Sequence, residues 1–233
     1  MNYPTLQVTD FLNNPKHVSD LAESLEYIKS EGGYPGSRTK PLHEIDPDLY
    51  KNINDKIIRL LYPEHNVFQN ISWTSASFFQ KITYEDVEFN ILNKENSGKG
   101  WIHQDGSAKY TAMIYLSKGE GSGTAIYSRE DGFNTTTPET KDETDWVQVK
   151  NNYITKAKPS TLDEFSKSLN SHVKKFRTEC LFNSSYNKMI AFDGATPHGA
   201  VFKLNPREER ITFITFFYEI LAPYTHIAEM RRI

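Results

Sequence analysis

At 233 residues the chain is long enough to bury one good core, and all-β units of this length commonly form a single domain. A net charge of −3 and a pI near 6.2 leave no basic field to draw in nucleic acid, which argues against a nucleic-acid partner. A lone cysteine, Cys180, excludes an internal disulfide and fits a reducing cytoplasm; the opening MNYPTLQVTDFLNN lacks both parts of a signal peptide, and no apolar run reaches membrane-span length.

In chain order, Asn14-Pro15 is a helix start, with Asn as the cap, Pro at the first helical position and Gly32-Gly33 as the stop. Val18, Leu21, Leu25 and Ile28 recur at helical spacing and give this helix one apolar face. Gly33 to Arg38 is turn-rich; a structured turn joining two helices is its plain reading, with Tyr34 and Arg38 as candidate substrate contacts. Asp46-Pro47 repeats the start signal, Leu49, Ile53, Ile57, Leu60 and Leu61 form the next buried stripe, and Pro63 closes it. Residues 1–65 therefore read as helical support.

From Ile71 the period changes to two. Ser72–Gln80, Val87–Ile91, Trp101–His103, Tyr110–Leu116 and Thr124–Tyr127 read as strands, with turns at Gly98-Lys99-Gly100 and from Gly119 to Gly123. The polar stretch from 129 to 160 is a long connection, of the kind that is usually functional. It runs into a helix expected over Thr161–Phe176, opened by the capping box Thr161-Leu162-Asp163-Glu164 and striped by Leu162, Phe165, Leu169 and Val173. Lys188–Phe192 and Arg210–Tyr218 are the closing strands. Helices first and antiparallel strands after them predict an α+β fold with the sheet bent into a sandwich or barrel. One domain over 1–233 is expected, its core at 71–128 and 179–220 and an insertion or lid at 129–178.

His103-Gln104-Asp105 is answered far downstream by His198 and then Arg210. Positions i and i+2 of a strand face one way, so His103 and Asp105 can reach one ion while His198 closes the triangle from another strand. Two imidazoles and a carboxylate on one face of a divalent metal leave coordination positions open, the arrangement of non-haem Fe(II) oxygenases. A lone His-x-Asp is ordinary; the combination carries the weight. His17, His43, His65, His172 and His226 have no partner at useful spacing. Zinc hydrolysis is a physical rival, but its usual His-Glu-x-x-His helix is absent. Arg207 competes with Arg210 but stands beside Pro206, Glu208 and Glu209 in what reads as a solvated turn, and Asp193 reads as shaping the turn with Gly194.

The set resembles the Fe(II)/2-oxoglutarate-dependent oxygenases, in particular the prolyl-hydroxylase-like branch. The family pattern is matched by His103-Gln104-Asp105, Thr111 to Ser117 with Tyr115-Leu116 inside it, Gly121-Ser122-Gly123-Thr124, His198-Gly199 and Arg210-Ile211-Thr212, in order and spacing. The match covers 87–128 and 186–218. The resemblance implies a double-stranded β-helix, or jelly roll, with supporting N-terminal helices. It implies His103, Asp105 and His198 as ligands of Fe(II), and Arg210 as the bidentate partner of the distal carboxylate of 2-oxoglutarate. Thr212 and Tyr115 would add hydroxyl donors there, and Thr111 would line the same cavity. Strand packing is the plain alternative for Tyr115 and Thr111.

The expected activity is a dioxygenase that uses Fe(II), 2-oxoglutarate and O2 to hydroxylate a C–H bond of a peptide or protein side chain, or of a small amino-acid-like substrate. Related halogenases replace the carboxylate ligand with a small residue, so keeping Asp105 argues for hydroxylation. The alternative is a non-catalytic jelly-roll binding module. Against it stands the charge set itself, because a pocket without a metal has no reason to keep inward-facing charges. Nothing in the sequence speaks to oligomeric state.

Overall fold

A computed structural model of the protein describes residues 3–29, 34–63, 70–84, 86, 102–117, 122–129, 167, 170–201 and 208–223. The two helix-start signals act as caps. Asn14 accepts the His17 N–H at 3.3 Å to open α1 (Pro15–Ser24), and Asp46 accepts the Leu49 N–H at 2.9 Å to open α3 (Pro47–Leu61), with a one-turn α2 (Leu42–Ile45) before it. The first helix stops well before the glycines expected to end it. Ser24 turns its hydroxyl back onto the Leu21 carbonyl, Leu25 is extended, and Tyr27 donates to the Ala22 carbonyl, folding the chain back on the helix end. Ile28, expected on the helical stripe, lies instead in the two-residue strand β2 (Ile28–Lys29) and is exposed.

The strands are β1 (Leu6–Val8), β2, β3 (Ser37–Arg38), β4 (Ser72–Thr83), β5 (Tyr110–Tyr115), β6 (Gly123–Arg129), β7 (Phe176–Asn183), β8 (Met189–Asp193), β9 (His198–Val201) and β10 (Glu209–Leu221). They form a seven-stranded sheet, β1-β8-β5-β10-β4-β3-β2, and a three-stranded sheet, β7-β6-β9, with every pairing antiparallel. His103 bridges to His198 and so extends the smaller sheet past β9. Two stacked antiparallel sheets with helices on the outer face of the larger one are the α+β jelly roll that the sequence led us to expect.

Alternation along β10 sorts the molecule into two layers. Ile211, Phe213 and Phe217 join the core that packs under Val18, Ala22, Ile53, Ile57, Ile58 and Leu61 of the helices. Ile214 faces the other way, into a cluster of Met113, Tyr115, Ile190 and Phe192 from the larger sheet with Ile126 and Phe182 from the smaller. By the same alternation Arg210, Thr212 and Phe216 belong to this inner face. On the helical side a closed ring of hydrogen bonds replaces apolar packing at one point. The Asn54 amide donates to Ser77 Oγ (3.1 Å), Ser77 to Thr215 Oγ1 (2.8 Å), and Thr215 back to Asn54 Oδ1 (2.9 Å), all buried. It ties α3 to β4 and β10.

Other expectations resolve unevenly. Residues 170–173 are helical, but Phe176, expected as the end of that helix, is the first residue of β7. The expected strand Val87–Ile91, the turn at 98–100, Trp101, the Gly32-Gly33 stop, residues 130–160, the capping box at Thr161 and Arg207 lie outside the described residues. Among the described residues no helix is long and apolar enough to cross a membrane. A groove of about 630 Å³ between α1 and α3, lined by His17, Ile53 and Lys56 among others, shares no residue with the inner face.

Candidate active site between the two sheets

His103 and His198 are neighbours because their backbones exchange both hydrogen bonds, at 2.8 and 2.9 Å, across a narrow antiparallel bridge. Their rings lie 4.4 Å apart. Asp105 comes from a turn rather than from the strand the i, i+2 argument assumed: its N–H donates to the Gly194 carbonyl and its own carbonyl receives the Ala108 N–H. The consequence for the site is the same. His103 Nε2 is 3.7 Å from Asp105 Oδ1 and His198 Nε2 is 3.4 Å from Asp105 Oδ2. One ligand atom from each of the three falls within 4.8 Å of the others. His198 and Asp105 are enclosed, whereas the His103 side chain is 43% exposed and marks the open side.

His198 and Asp105 are each held from behind. His198 Nδ1 lies 2.8 Å from the Thr196 carbonyl, which can only accept, so Nδ1 carries a proton and Nε2 is the nitrogen turned toward Asp105. Thr111, on β5, donates to Asp105 Oδ2 at 2.6 Å. Its hydroxyl therefore serves the carboxylate from the inner face of β5. Phe192 lies against the His198 ring at 4.5 Å. Asp193 does shape the following turn, taking the Ala195 N–H on one oxygen and the Tyr3 N–H on the other, both at 2.8 Å. Gln104 turns away from the set and donates to the Ala195 carbonyl.

Along the inner face of the larger sheet, registry places Phe216 beside Thr111, Ile214 beside Met113, and Thr212 beside Tyr115. The metal set therefore sits at one end of a strip whose other end holds Arg210. That arginine is fully buried. It donates to the Gly123 carbonyl (2.9 Å), to Met113 Sδ (3.0 Å) and, more weakly, to Thr124 Oγ1 (3.3 Å), and it lies over the Tyr115 ring at 5.2 Å. Its Nε is buried without a partner, and no carboxylate pairs with it among the described residues. Burial holds the guanidinium below its ordinary pKa, partly offset by the Tyr115 phenol. Tyr115 donates to Thr124 Oγ1 at 2.9 Å, and burial pushes its own pKa up. Thr212 is buried in the row between Tyr115 and Gln80, and it makes no hydrogen bond to another described side chain.

Thr124, Met113, Gly123 and Phe192 were not singled out as site residues in the sequence. Thr124 and Gly123 sat in the turn pattern that was noticed, but their contact with Arg210 depends on how β6 crosses β10. Gly123 serves the pairing of β6 with β7: a Cβ there would collide with the Phe182 carbonyl of β7.

No curated protein sequence matches the chain. Among solved structures, 36 chains match. HygX from Streptomyces hygroscopicus, crystallised with nickel and 2-oxoglutarate bound, aligns with a TM-score of 0.52 and 12% identity over 91% of this chain and 82% of its own. A prolyl-4-hydroxylase from Pseudomonas putida aligns at 0.46 and 11% identity over 92% of each chain. A 2OG-Fe(II) oxygenase family oxidoreductase from Burkholderia pseudomallei aligns at 0.43 and 10% identity over 91% and 83%. The jelly roll is that of the Fe(II)/2-oxoglutarate oxygenases. The model of one sequence family, described only as a family of unknown function (DUF6445), matches residues 1–217, and the chain belongs to that family.

Proposed function

We propose that this protein is an Fe(II)- and 2-oxoglutarate-dependent dioxygenase that hydroxylates a C–H bond of a peptide or protein side chain, or of a small amino-acid-like substrate. The observation that carries the reading is Arg210: a fully buried cation with an unpartnered Nε and, among the described residues, no carboxylate beside it, on the same inner face as His103, Asp105 and His198. A buried charge left unpaired is expensive, and a dianionic ligand that spans from the metal to Arg210 removes the expense.

The donor chemistry fits Fe(II): two neutral imidazole nitrogens and one carboxylate. His103, Asp105 and His198 would hold the metal, and Arg210, with Thr212 and Tyr115 beside it, would receive the distal carboxylate of 2-oxoglutarate. Bound together, Fe(II), 2-oxoglutarate and O2 supply oxidative decarboxylation to succinate and carbon dioxide, with the second oxygen atom going to the substrate C–H bond. The chain's part is orientation and exclusion of water. Thr196 and Thr111 fix His198 and Asp105, while Phe192, Ile214 and Phe216 keep the floor apolar. Tyr115, protonated through its burial, keeps a hydroxyl in the Arg210 cluster. Retention of Asp105 favours hydroxylation over chemistry that needs a vacant ligand position. The lone, exposed Cys180 fits a cytoplasmic setting.

The test is succinate formation from 2-oxoglutarate by anaerobically iron-loaded protein once air is admitted, with and without a proline-containing peptide pool. Turnover in the wild type that is lost in Asp105→Ala supports the reading. Failure to bind both the metal and 2-oxoglutarate sinks it in favour of a binding module.

A further inference from the structure

We infer that Arg38 is a receptor for a carboxylate on the primary substrate, placed on the substrate side of the metal set and distinct from Arg210. This rests on the dioxygenase reading for its setting. Arg38 belongs to β3, where registry puts it in one row with Gln80, Thr212 and Tyr115 across four adjacent strands. It therefore faces the same inner layer as Arg210, two strands away, or about 10 Å across the sheet. Its side chain runs from that row toward the metal end. The guanidinium carbon lies 3.8 Å from the centre of the Tyr34 ring, 5.2 Å from that of Phe216 and 5.6 Å from that of Phe78. Phe216 is the register partner of Thr111, whose hydroxyl holds Asp105.

Tyr34 lies against the guanidinium, with Phe216 and Phe78 farther out, and none of the three rings takes up a hydrogen-bond donor as an acceptor would. Nε is buried without an acceptor, and Arg38 forms no ion pair among the described residues. The turn that brings Tyr34 onto Arg38 is built for the purpose. Gln80, on the inner face, donates to the Pro35 carbonyl at 2.7 Å, and Gly36 takes φ +74° where a Cβ would strike the Lys81 carbonyl. Burial lowers the Arg38 pKa, and Tyr34, Asp105 and Tyr218 act against that shift, so the cation lies within the electrostatic reach of the metal carboxylate.

Charge accounting points to a single negative charge on the ligand. Among the described residues the inner face offers Asp105 against Arg38 and Arg210; a divalent metal and a 2-oxoglutarate dianion cancel each other, and one positive charge remains. A single guanidinium edge suits the two oxygens of a carboxylate. A phosphate dianion would need a second cation or a cradle of backbone N–H groups.

The experiment is ligand-observed NMR on Mn(II)-loaded, full-length protein saturated with 2-oxoglutarate, where line broadening by Mn(II) locates a probe near the metal. The probes are N-acetyl-leucine against N-acetyl-leucinamide, and N-acetyl-glutamic acid α-amide against its glutamine counterpart. At least one acid is expected to bind about tenfold or more tightly than its amide, as a charge-assisted bidentate pair does. Arg38→Gln should abolish that preference while changing the Kd of 2-oxoglutarate by less than about twofold, and Arg210→Gln should do the reverse. Arg38→Lys, which keeps the charge but loses the fork, should fall between. Preference for the leucine acid assigns an α-carboxylate, and preference for the glutamate probe an acidic side chain; both support the proposal. No acid-over-amide preference in the wild type, or a preference that survives in Arg38→Gln, overturns it. Failure of 2-oxoglutarate to bind the wild type removes the dioxygenase reading alone, since the same acid-amide comparison by saturation transfer without metal still decides Arg38.

Discussion

Arg210 holds a charge that ligand-free protein has no use for. Among the described residues its hydrogen-bond partners are a carbonyl, a thioether and a hydroxyl, none of which balances a buried cation. Arg210→Met should therefore leave the melting temperature of ligand-free protein unchanged or higher, while 2-oxoglutarate binding weakens on the order of 10–100-fold. Calorimetric titration beside a thermal melt separates the two effects; a large loss of stability with binding intact would make Arg210 a structural clasp. Thr111 makes the opposite kind of contribution. Thr111→Val keeps the shape of the side chain and removes the 2.6 Å hydrogen bond to Asp105, so Mn(II) affinity should fall by about 10–100-fold with little change in fold. Unchanged affinity in a competition titration would show that Asp105 is held by its backbone turn alone.

At the scale of elements, the Asn54 ring is where a helix commits to the sheet. Asn54→Ala leaves Ser77 and Thr215 without their buried partner and should cost about 1–3 kcal/mol in denaturant unfolding. Asp46→Ala, at the α3 cap, should cost about 1 kcal/mol by the same measurement. How legible each element was follows from what stabilises it. The starts of α1 and α3 were plain because capping is local: Asn14 and Asp46 act on residues three positions away. The end of α1 was not, because the stop at Ser24 comes from Tyr27 folding back and from β2 pairing with β3, and Ile28 keeps a helical spacing that the tertiary structure overrides. β7 was missed since most of its side chains are exposed and mixed in polarity, and β9 because four residues, His-Gly-Ala-Val, carry no period. The site residues divide the same way. His103, Asp105, His198 and Arg210 stand in a readable order and Arg38 was already a candidate substrate contact, whereas Thr124, and the row that Arg38 joins, emerge only when β6 and β3 are laid against their neighbours.

For the molecule as a whole, the proposed metal set is held by the fold's own backbone hydrogen bonds, the bridge between His103 and His198 and the bond from Asp105 to Gly194. Metal binding should then appear as added stability. At a hundredfold excess over Kd the gain is about 2.7 kcal/mol, or roughly 5–10 °C in melting temperature for a chain of this size. Asp105→Ala should abolish that shift, which differential scanning fluorimetry with Mn(II) will read directly. β10 has a further consequence, for how this protein can change. Its odd positions, Ile211, Phe213, Thr215 and Phe217, belong to the helical layer, and its even ones, Arg210, Thr212, Ile214 and Phe216, to the layer between the sheets. Two packing layers are thus written in alternate letters of one segment. A library that randomises 214 and 216 while holding the odd positions fixed leaves the helical-side core untouched and perturbs only the cluster between the sheets, and a one-residue deletion inside the strand would disrupt both layers at once.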